Sequence, residues 1–167
     1  MIRVEVAVAE KLAVARDIVS RRYAWRGYLS QEAPDSYSTL LAYDGKNAVG
    51  TVTLGLDWPL LAMVNYGKEL EALRGRRVCE LVRLAIEDGA DSSAVWAAFL
   101  RVIEELCAQM QDLVIEVNPR HVGHYCRALN FEVFGPRRKC ARSGAASVLL
   151  RLSRENFQAS STGGKSA

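Results

Sequence analysis

Two ionisable side chains interrupt an otherwise apolar run near the middle of the chain, Glu80 and Arg83 in "VCELVRLAIED". Burying an isolated charge is costly, so each must face a partner or a wet cleft. A carboxylate in a partly desolvated cleft has its pKa raised toward neutrality and becomes a usable general base. Read as a regular strand, the period of two sends Val78, Glu80, Val82, Leu84 and Ile86 to one face. Cys79, Leu81, Arg83 and Ala85 go to the other. Glu80 and Arg83 are then expected to point apart, each needing its own partner. The competing reading pairs each with a charge on a neighbouring strand.

The second run with chemical content is "VNPRHVGHYCRALNF". Asn118 closes a strand, and Tyr125 falls two helical turns beyond it, near the face of His121 and Cys126. A phenol there serves either as a proton donor or as an ordinary packing ring. His121 and His124 stand three apart, but no third or fourth ligand has tight spacing, so no metal site is expected.

The elements that must position these residues follow from periodicity. Arg3 to Val8 alternates and reads as a strand, and Glu10 to Tyr28 repeats at helical spacing through Leu12, Ala15, Val19 and Tyr23. "DGKN" predicts a hairpin between two strands, and Pro59 to Arg74 reads as a helix with Pro59 at its first position and Gly75 as its stop. Val78 to Ile86 is the central strand. "DSSAVWAAFLRVIEELCAQM" is a helix capped by Asp91 or Ser92 and ending near Met110. Asp112 to Asn118 is a strand covered on both faces, Pro119 opens a short helix, and "EVFGPRRKCAR" with "ASVLLRL" forms a closing hairpin. The expectation is a mostly antiparallel sheet with helices on its faces and one strand–helix–strand passage, an α/β (α+β) class. One domain spans residues 1–155, and the small polar residues 156–167 read as a disordered tail.

Half of the 167 residues are hydrophobic and a quarter are charged, which suits a single domain with a full core. A net charge of +3 without a basic stripe beside an aromatic platform argues against nucleic-acid binding. Cys79, Cys107, Cys126 and Cys140 form no C-x-x-C pair, which fits reduced thiols and a cytoplasmic setting. The N-terminal residues carry charge throughout, unlike a signal peptide, and no stretch reaches transmembrane length.

Several runs, in order, carry a resemblance: "SRRYAWRGYL", "VGTVTLGLD", "ELEALRGRRVCELVRLAIED", "VIEVNPRHVGHYCRALNFEVFG" and "SVLLRL". Together they resemble the N-acyl amino acid synthase family, a bacterial branch of the GNAT superfamily related to acyl-homoserine lactone synthases. The resemblance implies a GNAT-like sheet whose central parallel strands splay, with a thioester arm lying between Val82 to Ile86 and Val114 to Asn118. It implies transfer of a long-chain fatty acyl group from acyl carrier protein to an amino acid's amine. The 4'-phosphopantetheine of that carrier is the donor arm, and no tightly bound cofactor is needed. By the same resemblance Glu80 takes the amine's proton and Tyr125 gives one to the departing thiolate. Val82, Arg83, Leu84, Asn118, Arg120 and His121 line the substrate cleft, while Trp25 and Arg26 in "YAWRGY" sit under a lid over the acceptor.

One departure bears on the donor. CoA-dependent relatives hold pyrophosphate on a glycine-rich loop at a helix N-terminus, but here that place reads "EDGADSSAV", with Asp88 and Asp91. A carrier-protein donor is expected instead, docking on Arg74, Arg76 and Arg77 and on Arg137, Arg138 and Lys139. Only Glu32 and Asp35 stand where homoserine-lactone synthases carry an acidic signature, which argues against S-adenosylmethionine use. An autoinducer synthase and a non-catalytic acyl-binding module of the same fold are the alternatives.

Overall fold

The alternating start of the chain forms β1 (Ile2–Val6), after which a 16-residue helix, α1 (Glu10–Trp25), begins with Glu10 and carries Arg22 in its last turn, both matched to the helix dipole. The computed structural model describes residues 1–25, 33–141 and 144–156; the expectations for Arg26, for the end of the predicted helix at Tyr28 and for the tail beyond Asn156 lie outside these. β2 (Ser38–Asp44) and β3 (Asn47–Gly55) meet at the "DGKN" turn, where Gly45 takes φ +60°.

The next segment departs from expectation. Pro59 follows a cis peptide bond and does not open the helix; α2 (Met63–Leu70) starts four residues later and runs into a 3-10 turn, Glu71–Leu73, before Gly75 at φ +82°. β4 (Val78–Ile86) leads through Asp91, whose side chain accepts the Ala94 N–H at 3.1 Å, into α3 (Ser92–Leu106). β5 (Asp112–Val117) follows, and Asn118 caps a 3-10 turn opened by Pro119 that continues as α4 (Val122–Leu129). Asn130, at φ +62°, ends α4 before β6 (Glu132–Lys139) and β7 (Ala146–Ser153).

The seven strands form one sheet in the order β1-β2-β3-β4-β5-β7-β6, antiparallel throughout except for the β4–β5 pair. α3 and α4 cover one face over a core that includes Leu81, Phe99, Ile103 and Leu113. On the other face α1 packs Ile18 and Val19 over Leu41 and Ala85, and α2 packs Tyr66 and Leu70 over Val78, Val114 and Leu149. Tyr66 anchors α2, because its hydroxyl donates to main-chain carbonyls of Pro136 (2.9 Å) or Ser147 (3.0 Å) and burial raises its pKa.

Two irregularities in β4 shape the centre of the sheet. Thr53 pairs with Val82 but Thr51 pairs with Ala85, so β4 holds one extra residue, and Arg83 within it has φ +56°. This is a β-bulge, and it overturns the strict alternation expected along the strand. Beyond it Leu84 and Ile86 pack on the α3 side, while Ala85 joins the core under α1. Arg83 turns to the α1 side as well. It lines a hollow of about 130 Å³ with Tyr37, Thr39 and Thr53, so Glu80 and Arg83 lie on the same face and do not point apart. The second irregularity is that the parallel β4–β5 register stops at Leu81↔Ile115, although both strands run on. Past that pair they splay.

Candidate active site

The splay opens into a cavity of about 300 Å³ bounded by β4 from Glu80 to Ile86, by β5 from Ile115 to Val117 and by α4. Of the residues expected at a substrate cleft, Val82, Arg83, Leu84, Asn118 and His121 line this cavity, and Arg83 also lines the smaller hollow on the α1 side. Arg120 does not: it is exposed, and its N–H is taken by the Asn118 side chain at 3.1 Å. Trp25 closes α1, but its side chain is not among those described.

Glu80 is 1 % exposed, and its partners include a phenol and two main-chain amides. Its Oε1 accepts the Tyr37 hydroxyl and the Leu61 N–H, both at 2.7 Å, and its Oε2 accepts the Ala62 N–H at 2.7 Å. These two amides belong to the turn that starts α2, where no side chain of the helix itself caps the end. A strand carboxylate thus does a capping residue's work. Donors of this kind favour the anion, so proton transfer from a substrate must use a lone pair left over, reached directly or through one water.

Tyr125 reaches the same cavity from α4, half-buried, with its ring edge-on to Phe131 at 5.6 Å and 76°. The cavity therefore places a carboxylate on β4 and a phenol on α4 around the opening between two strands. Glu116 of β5 is a residue the sequence reading passed over. It lines the cavity and accepts Asn65 Nδ2 at 3.1 Å, and the signal for it was the same as for Glu80, a lone acid in an apolar strand.

The expected docking cations divide. Arg76 binds the fully buried Asp112 through Nε at 2.6 Å, and Arg151 binds the same carboxylate at 2.8 Å, so Arg76 neutralises an interior charge. Arg138 clasps Glu69, donates to the Asn65 carbonyl at 2.6 Å and holds the Glu69 carboxyl below its usual range. Arg74 pairs with Glu71 at 3.1 Å and stacks over Trp58, and Arg77 faces Asp57 at 3.7 Å. Arg137 and Lys139 are exposed.

A mixed sheet with one parallel pair that splays over a cavity, with helices on both faces, is a GNAT-like architecture. The family model for the N-acyl amino acid synthase FeeM matches residues 14–153, and the chain belongs to that family. Among solved structures it is similar to FeeM, an N-acyl amino acid synthase from uncultured soil microbes (23 % identity, 96 % of this chain and 94 % of that one, TM-score 0.82). It is also similar to the acyl-homoserine lactone synthase LasI (19 %, 98 % and 96 %, TM-score 0.65). The ribosomal-protein-S18-alanine N-acetyltransferase of Escherichia coli shares the fold at 12 % identity, with 100 % and 99 % coverage and a TM-score of 0.62. No curated protein sequence matches. No helix among the described residues is long and apolar enough to cross a membrane.

Proposed function

We propose that the chain transfers a long-chain fatty acyl group from the phosphopantetheine arm of an acyl carrier protein to the amine of an amino acid. The observation that carries this reading is the end of the β4–β5 register at Leu81↔Ile115, above which both strand edges can bond the amides of an extended thioester arm. The amino acid enters from the α1 side with its carboxylate on Arg83, which lines both the hollow there and the main cavity. Its nitrogen attacks the thioester carbonyl carbon. Glu80 accepts the amine's proton through one water, the C–S bond breaks, and Tyr125 protonates the departing thiolate.

The carrier protein is favoured over CoA by the start of α3. There Asp91 already occupies the Ala94 N–H, and Glu87 and Asp88 stand close by in sequence, paired with Arg21 and Arg22. An incoming pyrophosphate would find the Ala94 N–H taken by Asp91 and would have to displace the two ion pairs beside it. The test compares acyl carrier protein and CoA donors of the same chain length, with amino acids and S-adenosylmethionine as acceptors, products being read by mass spectrometry. Acyl amino acid formed mainly from the carrier donor is expected. A clear preference for CoA refutes the donor assignment, and an acylated S-adenosylmethionine product refutes the acceptor.

A further inference from the structure

Trp96 lies on α3 with 3 % of its surface exposed, and it lines the main cavity. Its indole nitrogen is buried and has no hydrogen-bond partner among the described residues. Buried polar groups are almost always paired, and an indole N–H is a donor with no acceptor capacity, so an acceptor for this one is to be sought in the cavity that Trp96 lines. Its ring is fixed: it leans on Phe131 at 5.9 Å and 42°, and Phe131 in turn takes the edge of Tyr125. Trp96 is thereby tied through one ring to the phenol assigned to the thiolate.

We infer that Trp96 Nε1–H donates to a carbonyl oxygen of the donor's pantetheine arm and so fixes the depth at which the arm lies between β4 and β5. The acceptor is a neutral one, because Glu80 and Glu116 line the cavity and the single carboxylate the reaction brings is assigned to Arg83. An extended thioester arm supplies neutral carbonyls along its length, whereas the amino acid's only strong acceptor is the carboxylate assigned to Arg83. This inference rests on the reading of the cavity as a thioester cleft.

The test replaces Trp96 with benzothienylalanine, which keeps the ring's shape and exchanges N–H for sulfur. The probe is a long-chain acyl-pantetheine whose thioester sulfur is replaced by nitrogen, so that it binds without reacting. Its dissociation constant is expected to rise about three- to tenfold, the usual worth of one neutral hydrogen bond. In the unmodified protein, isotope-edited NMR should show the Trp96 indole resonance moving on probe addition, while Trp58, whose Nε1 already donates to the Arg76 carbonyl at 3.1 Å, stays still. Equal affinity for both proteins, or a static Trp96 resonance with probe bound, overturns the inference and leaves the thioester reading standing. A protein that does not bind the probe at all overturns both.

Discussion

At the scale of single residues, Glu80 caps the start of α2 and is proposed to take the amine's proton, and one variant can separate the two. Glu80→Gln keeps an oxygen for some of these donors but presents an amide N–H to others, so the start of α2 loses part of its cap. If Glu80 also takes the amine's proton, kcat should fall by about two to four orders of magnitude while the thermal midpoint drops only a few degrees. A normal kcat in a folded variant would leave Glu80 with the capping role alone. Tyr125→Phe should slow single-turnover acylation by roughly ten- to a hundredfold, less than Glu80→Gln, because a thiolate leaves readily. The ring's contact with Phe131 survives that change, so donor affinity should hold, and a rate equal to the parent's across pH would reduce Tyr125 to a packing residue.

At the scale of elements, the site depends on β2, β3 and α2 meeting at Glu80, and Gly55 is the point at which they can be pushed apart. Gly55 pairs with Glu80 across β3 and β4, and Tyr37 lies over it, so a Cβ there would stand 2.3 Å from Tyr37 Cζ and 2.6 Å from its hydroxyl oxygen. Gly55→Ala should therefore expel the phenol, cost about 1–3 kcal/mol of stability by overpacking and lower acyl transfer beyond what the stability loss explains. Unchanged denaturant midpoints and rates would show that the ring has room to move. These elements were unevenly legible in the sequence. "DGKN" marks its hairpin by a glycine that accepts positive φ, Asp91 marks a helix start by its side chain and Pro119 another by its fixed φ, because each signal is local. The bulge is not local: "LVRLA" contains no glycine, and Arg83 at φ +56° is fixed by pairing with β3 and by what surrounds it. Alternation counted along β4 alone thus placed Glu80 and Arg83 on opposite faces. The role of Glu80 as a cap for α2 was hidden for the same reason, since its partners, Leu61 and Ala62, are about twenty residues away in sequence.

At the scale of the whole molecule, the direction of the parallel strands decides where the proposed carrier protein would dock. β4 and β5 are paired from Val78 and Asp112 and part after Leu81 and Ile115, so the cleft lies at their C-terminal ends. Arg74, Arg76 and Arg77 precede β4 and therefore sit at the opposite end of the sheet, where Asp112, Glu71 and Asp57 already engage them. Arg137 and Lys139 belong to the edge strand β6. Lys139 pairs with Ala146, near the start of β7, and Val148 there pairs with Val117 at the open end of β5. Exposed cations on this edge discourage strand-to-strand aggregation, and under the proposed function they lie on the side from which the carrier's arm would enter. Charge reversal of this pair, Arg137→Glu with Lys139→Glu, should raise KM for the acyl carrier protein by about tenfold or more, with the effect shrinking as salt rises. Turnover of a short acyl-pantetheine, which has no protein surface to dock, should be unaffected. Reversal of Arg77 serves as the control at the far end and should change neither. If Arg77→Glu weakens carrier use while the β6 pair does not, the docking face lies at the N-terminal end of β4, and the arm must reach the splay by another path.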